Sequence, residues 1–260
     1  MRVVTWNVWG RFGPWQDRAP RILATLRELE PDIVCLQEAW STHITNQAGE
    51  LAAQLGLHPV FERSRMPSSQ PDCDSVSLGL AVLGRWPVAA HRRHHLPDGP
   101  GGPLRHKDPS VALVVTLDHP AGPLHVVTAC LDWQADRGDA RLAQTHALAA
   151  LLTDTALDGP LPVVLAADLN SRPDTREFQP LPRVLIDTWA AARPEQSGYT
   201  FTTDNSFVGP HEWLAGGRID HVLVRSGVAG RPLTIRATML AGTGDPPPSD
   251  HYAVVADVDW

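Results

Sequence analysis

The chain has 260 residues, of which 43% are hydrophobic and 20% charged, and a formal net charge of −7. It is longer than a typical domain of ~100–200 residues but fits one large layered domain, and its apolar share is that of a globular protein with a core. The negative balance provides no broad cationic face for wrapping a long polyanion, because such binding rests on neutralising phosphates with Lys and Arg.

The cysteines Cys35, Cys73 and Cys130 are odd in number and lack CxxC spacing, so they define neither a disulfide framework nor a zinc cluster. No apolar leader opens the chain, and no run approaches the ~18 apolar residues of a membrane span. A cytoplasmic, reduced protein is expected.

In chain order, residues 3–9 read as a buried strand with the polar Asn7 near its end. Over residues 15–30, Ile22, Leu23, Leu26 and Leu29 recur at helical spacing until Pro31 stops the helix. Residues 32–37 form a second apolar strand with Glu38 at its exit. A helix is expected over 45–55, a strand over 58–62, a Ser-, Pro- and Gln-rich loop over 64–74, and a strand over 76–83. Residues 91–109 mix Gly, Pro, His, Arg and Lys without periodicity, which predicts a long exposed loop of a kind that is often functional.

The runs 111–117 and 124–131 flank a Pro-Ala-Gly-Pro turn and predict a hairpin. A helix over 136–152 precedes the strand 162–167, which runs straight into Asp168-Leu169-Asn170. Further strands are expected over 199–203, 219–225, 234–240 and 252–258. No repeat or linker divides the chain, so a single domain over residues 1–260 is expected. Strands interspersed with helices, several of them hairpin-linked, predict an α/β fold of mixed sheets packed as a sandwich with flanking helices.

Polar residues stand at the ends of these apolar strands: Asn7, Glu38, Asp168 with Asn170, and Asp250-His251, while Asp220 lies in the strand 219–225. Loops at one edge of a rigid sheet are where catalytic groups are usually held, and five separated coincidences point to one shared site. Hard oxygen donors such as Glu38 and Asn7 suit Mg²⁺ or Mn²⁺. A carboxylate such as Asp168 can take a proton from water, and a histidine such as His251, oriented by Asp220, can donate to a phosphoryl oxygen.

Thr5-Trp6-Asn7, Leu36-Gln37-Glu38, residues 79–83 (GLAVL), Ala167-Asp168-Leu169-Asn170, Arg218-Ile219-Asp220-His221 and Ser249-Asp250-His251 occur in an order that resembles the endonuclease/exonuclease/phosphatase superfamily. The likeness runs over nearly the whole chain. It implies a four-layer αββα sandwich, with two mixed sheets face to face and helices outside, as in deoxyribonuclease I. It further implies a divalent metal at Glu38 with Asn7 and Asp250 nearby, Asp168 as general base, Asn170 orienting water and phosphate, and an Asp220–His251 pair stabilising the transition state.

The sequence departs from the family pattern at Cys130, which stands in Thr128-Ala129-Cys130-Leu131-Asp132 where the family usually carries a histidine. A neutral thiol is a weak donor to phosphate. Asp132, Trp133 or the residues 91–106 are the candidates to substitute. Trp9 stands where some members carry an acidic metal ligand, so the resemblance implies one metal rather than two.

For substrate contact the expectations are Asn170, Cys130, Arg105 and Trp133, with Trp213 also near. His221, next to Asp220, should point to the opposite face and be structural. His91, His94, His95 and His106 fit no zinc spacing, while Arg92, Arg93, Arg105 and Lys107 can meet a phosphate.

The expected function is Mg²⁺- or Mn²⁺-dependent hydrolysis of a phosphoester in a small molecule, nucleotide, lipid head group or nucleic acid. The acidic balance disfavours processive DNA degradation. The alternative is a catalytically weakened member that binds a phosphorylated ligand or protein partner, with Cys130 as its mark. A serine esterase is disfavoured because no GxSxG elbow is present.

Overall fold

The computed structural model describes residues 1–66, 76–99, 108–228 and 232–260. Along the chain run β1 (Arg2–Asn7), α1 (Trp15–Leu29), β2 (Ile33–Ser41), α2 (Gln47–Leu55), β3 (His58–Arg63), β4 (Ser77–Gly84), β5 (Val88–His95), β6 (Val111–His119), β7 (Gly122–Ala129), α3 (Gly138–Leu152), β8 (Val163–Asp168), β9 (Ile186–Asp187), α4 (Thr188–Ala192), β10 (Asp220–Arg225), β11 (Thr234–Ala241) and β12 (Ala253–Asp259).

They form two six-stranded sheets, ordered β11-β12-β1-β2-β4-β3 and β5-β6-β7-β8-β10-β9. Each sheet contains one parallel pair, β1 with β2 and β7 with β8, inside otherwise antiparallel pairing. A parallel pair needs a crossover, and α1 and α3 supply the two crossovers.

Strand alternation sorts the side chains into layers. Val3 of β1, Cys35 of β2, Val164 and Ala166 of β8 and Val222 and Val224 of β10 face inward and build the central core between the sheets. In β1 and β2 the alternate residues Val4, Trp6, Val34 and Leu36 face outward onto Ile22, Leu26 and Leu29 of α1 and Leu51 of α2. On the other side, Leu165, Ala167 and Leu223 pack against Leu148, Leu151 and Leu152 of α3. The result is the four-layer αββα sandwich, with mixed sheets in the middle and helices outside. No described helix is long and apolar enough to cross a membrane.

Several elements differ from the sequence-based expectation. Residues 91–95 belong to β5, an edge strand paired with β6, and not to a loop. Its side chains are nearly all exposed, so no alternating apolar pattern marks it, and its His and Arg residues suit an edge that must not pair with another chain. Residues 199–203 form only a single bridge, Phe201 to Gly217, because Thr200 spends its hydroxyl on the amides of Ile219 and Asp220. The short β9 and α4 had no sequence signal. Arg105, His106, Lys107 and Cys73 lie outside the described residues.

Beneath β10 sits a buried polar clasp. Arg218 donates through both terminal nitrogens to Asp187, at 3.1 and 2.9 Å, and through one of them reaches His221 Nδ1 at 2.9 Å. His221 Nε2 meets the Ser171 carbonyl at 3.1 Å, so the ring stands on the outer face, away from Asp220, in a structural role. Asp187 also accepts from Trp189 and Ala190 and so caps α4. Replacing Arg218 strands a buried carboxylate, which typically costs about 3–5 kcal/mol. An Arg218→Met variant should lower the urea unfolding free energy by about that amount; an unchanged midpoint would show that the clasp contributes nothing.

Candidate active site

Asn7, Asp168 and Asp220 continue the inward-facing series of β1, β8 and β10, so three strands deliver their last inward residue, or in β10 the first, to one end of the central core. Asp168 and Asp220 are direct cross-strand partners. The apolar core thus ends in a polar rim, and the rim is the site.

Glu38 arrives differently. Leu36 of β2 faces the helices, and regular alternation would send Glu38 the same way. The β2–β4 register slips between Leu36 and Ala39, and Glu38 takes a left-handed φ of 55°. This bulge lies inside β2, not at its exit, and it turns the carboxylate toward Asn7, as bulges beside active sites commonly do. Gln37 anchors the bend by donating to Thr128 Oγ1 at 2.9 Å and Thr5 Oγ1 at 3.0 Å. Trp9 and Asn170 also have positive φ, at 53° and 46°. Left-handed backbone is unfavourable for Glu and Trp and tolerable for Asn, and such strain gathers at functional sites.

One amide links the carboxylates. Asn7 Nδ2 donates to Glu38 Oε1 at 3.1 Å and to Asp168 Oδ2 at 3.0 Å, while Asn7 Oδ1 accepts from the Trp9 amide at 2.9 Å. The Asn170 amide N–H donates to Asp168 Oδ1 at 2.9 Å, and the Asn170 side chain donates to the Leu131 carbonyl at 2.9 Å. Asp220 Oδ2 lies 2.8 Å from His251 Nδ1. Phe201 packs on the His251 ring at a centroid distance of 4.9 Å. Ser249 ties the end of β1 to this turn by donating to the Asn7 carbonyl at 2.8 Å.

The electrostatics follow from crowding acids in a dry place. Burial, then Asp250, raises the Glu38 carboxyl from 4.5 to about 8. Burial and Asp220 raise Asp168 to about 6, against the opposing pull of His251 and the Asn7 hydrogen bond. Burial also raises Asp250. For His251, burial alone would lower the value, but Asp220 and Asp250 hold it well above 6.5 and keep the ring protonated at neutral pH. Ligand atoms of Asp168, Asp220 and His251 lie within 4.8 Å of one another. A protonated imidazole has no lone pair for an ion, so Glu38 and Asp250 are the better donors. Buried hard-oxygen groups with raised proton affinity have the chemistry that Mg²⁺ or Mn²⁺ satisfies.

All of these groups except Asp220 line one cleft with a cavity volume of about 490 Å³, together with Trp133 and Trp213. Cys130 does not line it. Its thiol is buried beneath Asp168, with Sγ 3.7 Å from Asp168 Oδ2 and 3.9 Å from Asn170 Nδ2, and burial pushes it well above its ordinary value. Sequence reasoning missed Arg18, which is buried in the first turns of α1. Its guanidinium donates to the carbonyls of Val8, Pro248, Trp9, Gly10 and Phe12 at 2.8–3.0 Å. A helical arginine near solvent-facing Asp17 and Pro20 carries no mark of that role.

The raised value of Glu38 has a consequence for stability. Between its ordinary 4.5 and about 8, the unfolded chain releases a proton that the folded protein keeps, so stability falls as pH rises through that window. In chelator, urea midpoints should drop from about pH 5 to about pH 8, and Glu38→Gln should flatten the drop. An equally steep drop in Glu38→Gln would place the effect elsewhere.

Comparison with known proteins agrees with this architecture. The profile of the Endonuclease/Exonuclease/phosphatase family matches residues 4–251. Among curated relatives, Protein angel homolog 2 of Danio rerio is 31% identical over 188 residues, covering 66% of this chain but only 30% of its own length. Protein angel of Drosophila melanogaster is 25% identical over 268 aligned positions, covering 94% of this chain and 72% of its own. The chain thus spans less than a third of the zebrafish relative. Among solved structures, an endonuclease/exonuclease/phosphatase from Beutenbergia cavernae superposes with a TM-score of 0.74 at 26% identity, over 99% of this chain and 71% of that one. Danio rerio TDP2, complexed with a single-strand DNA product, gives 0.75 at 20% identity over 100% and 99%. The chain therefore belongs to the endonuclease/exonuclease/phosphatase family.

Proposed function

We propose that the chain, as one domain over residues 1–260, is a Mg²⁺- or Mn²⁺-dependent hydrolase of phosphoester bonds that works in the reducing cytoplasm. The observation that carries this reading is a pair of groups in one cleft whose proton affinities are both raised: the Asp168 carboxyl, to about 6, and the His251 imidazole, held protonated by Asp220 at 2.8 Å. A base works best with a value near ambient pH, and a cation beside it suits a phosphoryl oxygen.

Asp168 takes a proton from water as the water oxygen attacks phosphorus in line, and the ester oxygen leaves from the opposite side. Asn170 orients the water and the phosphate. His251 donates a hydrogen bond from its free Nε2 to a non-bridging oxygen, and Asp220 keeps it charged. Asn7 holds Glu38 and Asp168 at a fixed separation. Glu38 and Asp250, with Asn7 adjacent, would hold the divalent ion, which when bound neutralises charge developing on the phosphoryl group. Trp133 lies along the cleft wall as a substrate contact. Substrate classes are small phosphodiesters, nucleotides, lipid head groups and nucleic acid; the structurally similar zebrafish TDP2 holds single-strand DNA.

The burial of Cys130 favours a second reading, a weakened member that binds a phosphorylated ligand or a protein partner. A thiol under Asp168 offers a phosphate no strong donor where the family carries histidine.

The test is a screen with Mg²⁺ or Mn²⁺ against phosphomonoesters, phosphodiesters, single- and double-stranded DNA, and RNA. Turnover should vanish with chelator, and Asp168→Asn should lower kcat by ~10²-fold or more while the protein still folds. Wild-type rates in Asp168→Asn would sink the mechanism, and no hydrolysis of any substrate would favour the binder.

A further inference from the structure

The cleft beside the acidic centre is walled by aromatic rings and, among the described residues, contains no Lys or Arg. Arg18 and Arg141, which back two of its aromatic rings, make their hydrogen bonds within the protein. Arg18 is spent on carbonyls, and Arg141 donates to the carbonyls of Asp132 and Gln134.

Of the rings that line the cleft, Trp213 is the most open to solvent, 41% exposed, yet it is fixed in place. Its indole N–H donates to the Trp133 carbonyl at 3.1 Å, and the Arg141 guanidinium backs one face at 4.7 Å from the ring centroid. The residue also lines the cleft. A second aromatic group is equally well braced: Trp9 packs on Phe207 at 5.1 Å and on Phe12 at 6.1 Å, with Arg18 against its ring at 4.7 Å. A Cβ at Gly13 would lie 2.9 Å from the Trp9 ring, so only glycine lets that ring settle there.

We propose that this wall is a stacking subsite for an unpaired nucleobase, with Trp213 as the platform. This deepens the phosphoester-hydrolase reading and rests on it for the position of the phosphate. Three features favour a base over other substituents. An exposed, rigid indole face suits a flat ring, and base–aromatic stacking contributes ~1–3 kcal/mol per base. Gln134 and Glu212 line the same cleft and offer partners to the polar edge of a base, which an acyl chain has no use for. A base inside a duplex has both faces covered, so only an unpaired one can reach Trp213.

Among the described residues no Lys or Arg joins the His251 imidazolium in the cleft, and that sets how such a ligand binds. Backbone-tracking proteins neutralise several phosphates, and affinity then falls with a slope of about −0.7 per phosphate against log salt on single strands. Here stacking replaces neutralisation, and only the phosphate at the centre senses salt.

The test uses tryptophan fluorescence to follow binding of a trinucleotide to Asp168→Asn protein with Mg²⁺ present, beside wild-type turnover of an aryl phosphodiester. The trinucleotide should quench fluorescence with a salt slope near −0.7. Adding Trp213→Ala should weaken binding by roughly tenfold, and Trp213→Phe should restore most of it. A hairpin duplex should bind at least ~10-fold more weakly than the open strand.

A slope of about −1.4, as neutralisation of both phosphates of the trinucleotide would give, equal affinity for the duplex, or an unaffected Trp213→Ala protein would overturn the subsite. So would binding to phosphatidylcholine vesicles with none to the trinucleotide. Diester turnover without trinucleotide binding would overturn the subsite alone. Trinucleotide binding that depends on Trp213, with no turnover of any phosphoester, would uphold the subsite and sink the hydrolase reading.

Discussion

The side-chain amide of Asn7 sits where the two sheets meet, and the arrangement of the site hangs on it. Asn7 and Glu38 come from one sheet and Asp168 from the other, and two N–H groups on one nitrogen hold both carboxylates. Two acids placed this close in a dry interior repel each other, and a neutral donor between them is the least costly way to keep both. Because the Asn7 oxygen is fixed by the Trp9 amide, the amide cannot rotate to serve only one of them. The separation between the prospective base and the prospective metal side is therefore set by the geometry of a single planar group.

Around this bridge the fold works against its own stability. Glu38, Asp168 and Asp250 all hold protons more tightly than they would in water, the mark of negative charge that burial disfavours. Glu38 and Trp9 add left-handed backbone that neither residue prefers. The packed layers on either side, Val164 and Ala166 facing inward and Leu165 and Ala167 outward, over-determine the strands and hold the strained ends in place. Rigid strands with strained termini are what a preorganised site requires.

Much of this was legible in the sequence, because apolar strands announce themselves and a polar residue at the end of one is conspicuous. Asn7, Asp168, Asn170, Asp220, Asp250 and His251 were found that way, as was the separation of His221 from Asp220 by strand alternation. The bulge that re-aims Glu38 was not legible, since its left-handed residue is a glutamate rather than the glycine that usually marks one. Strand β5 escaped because an edge strand exposed on both faces has no apolar period to detect. Thr200, Phe201 and Phe207 act through contacts far apart in sequence, with no local pattern to betray them. Arg18 was invisible for a simpler reason: its five partners are backbone carbonyls, which every residue carries.

That same arginine separates shape from protonation. Burial lowers its proton affinity only to about 10, so it keeps its charge across the range in which Asp168 and Glu38 exchange protons. The loop that carries Trp9 and the turn that leads to Asp250 are moored to it together. Acidity can thus alter what the bottom of the cleft does while its rim keeps the same outline. Occupancy and turnover in such a cleft answer to different variables.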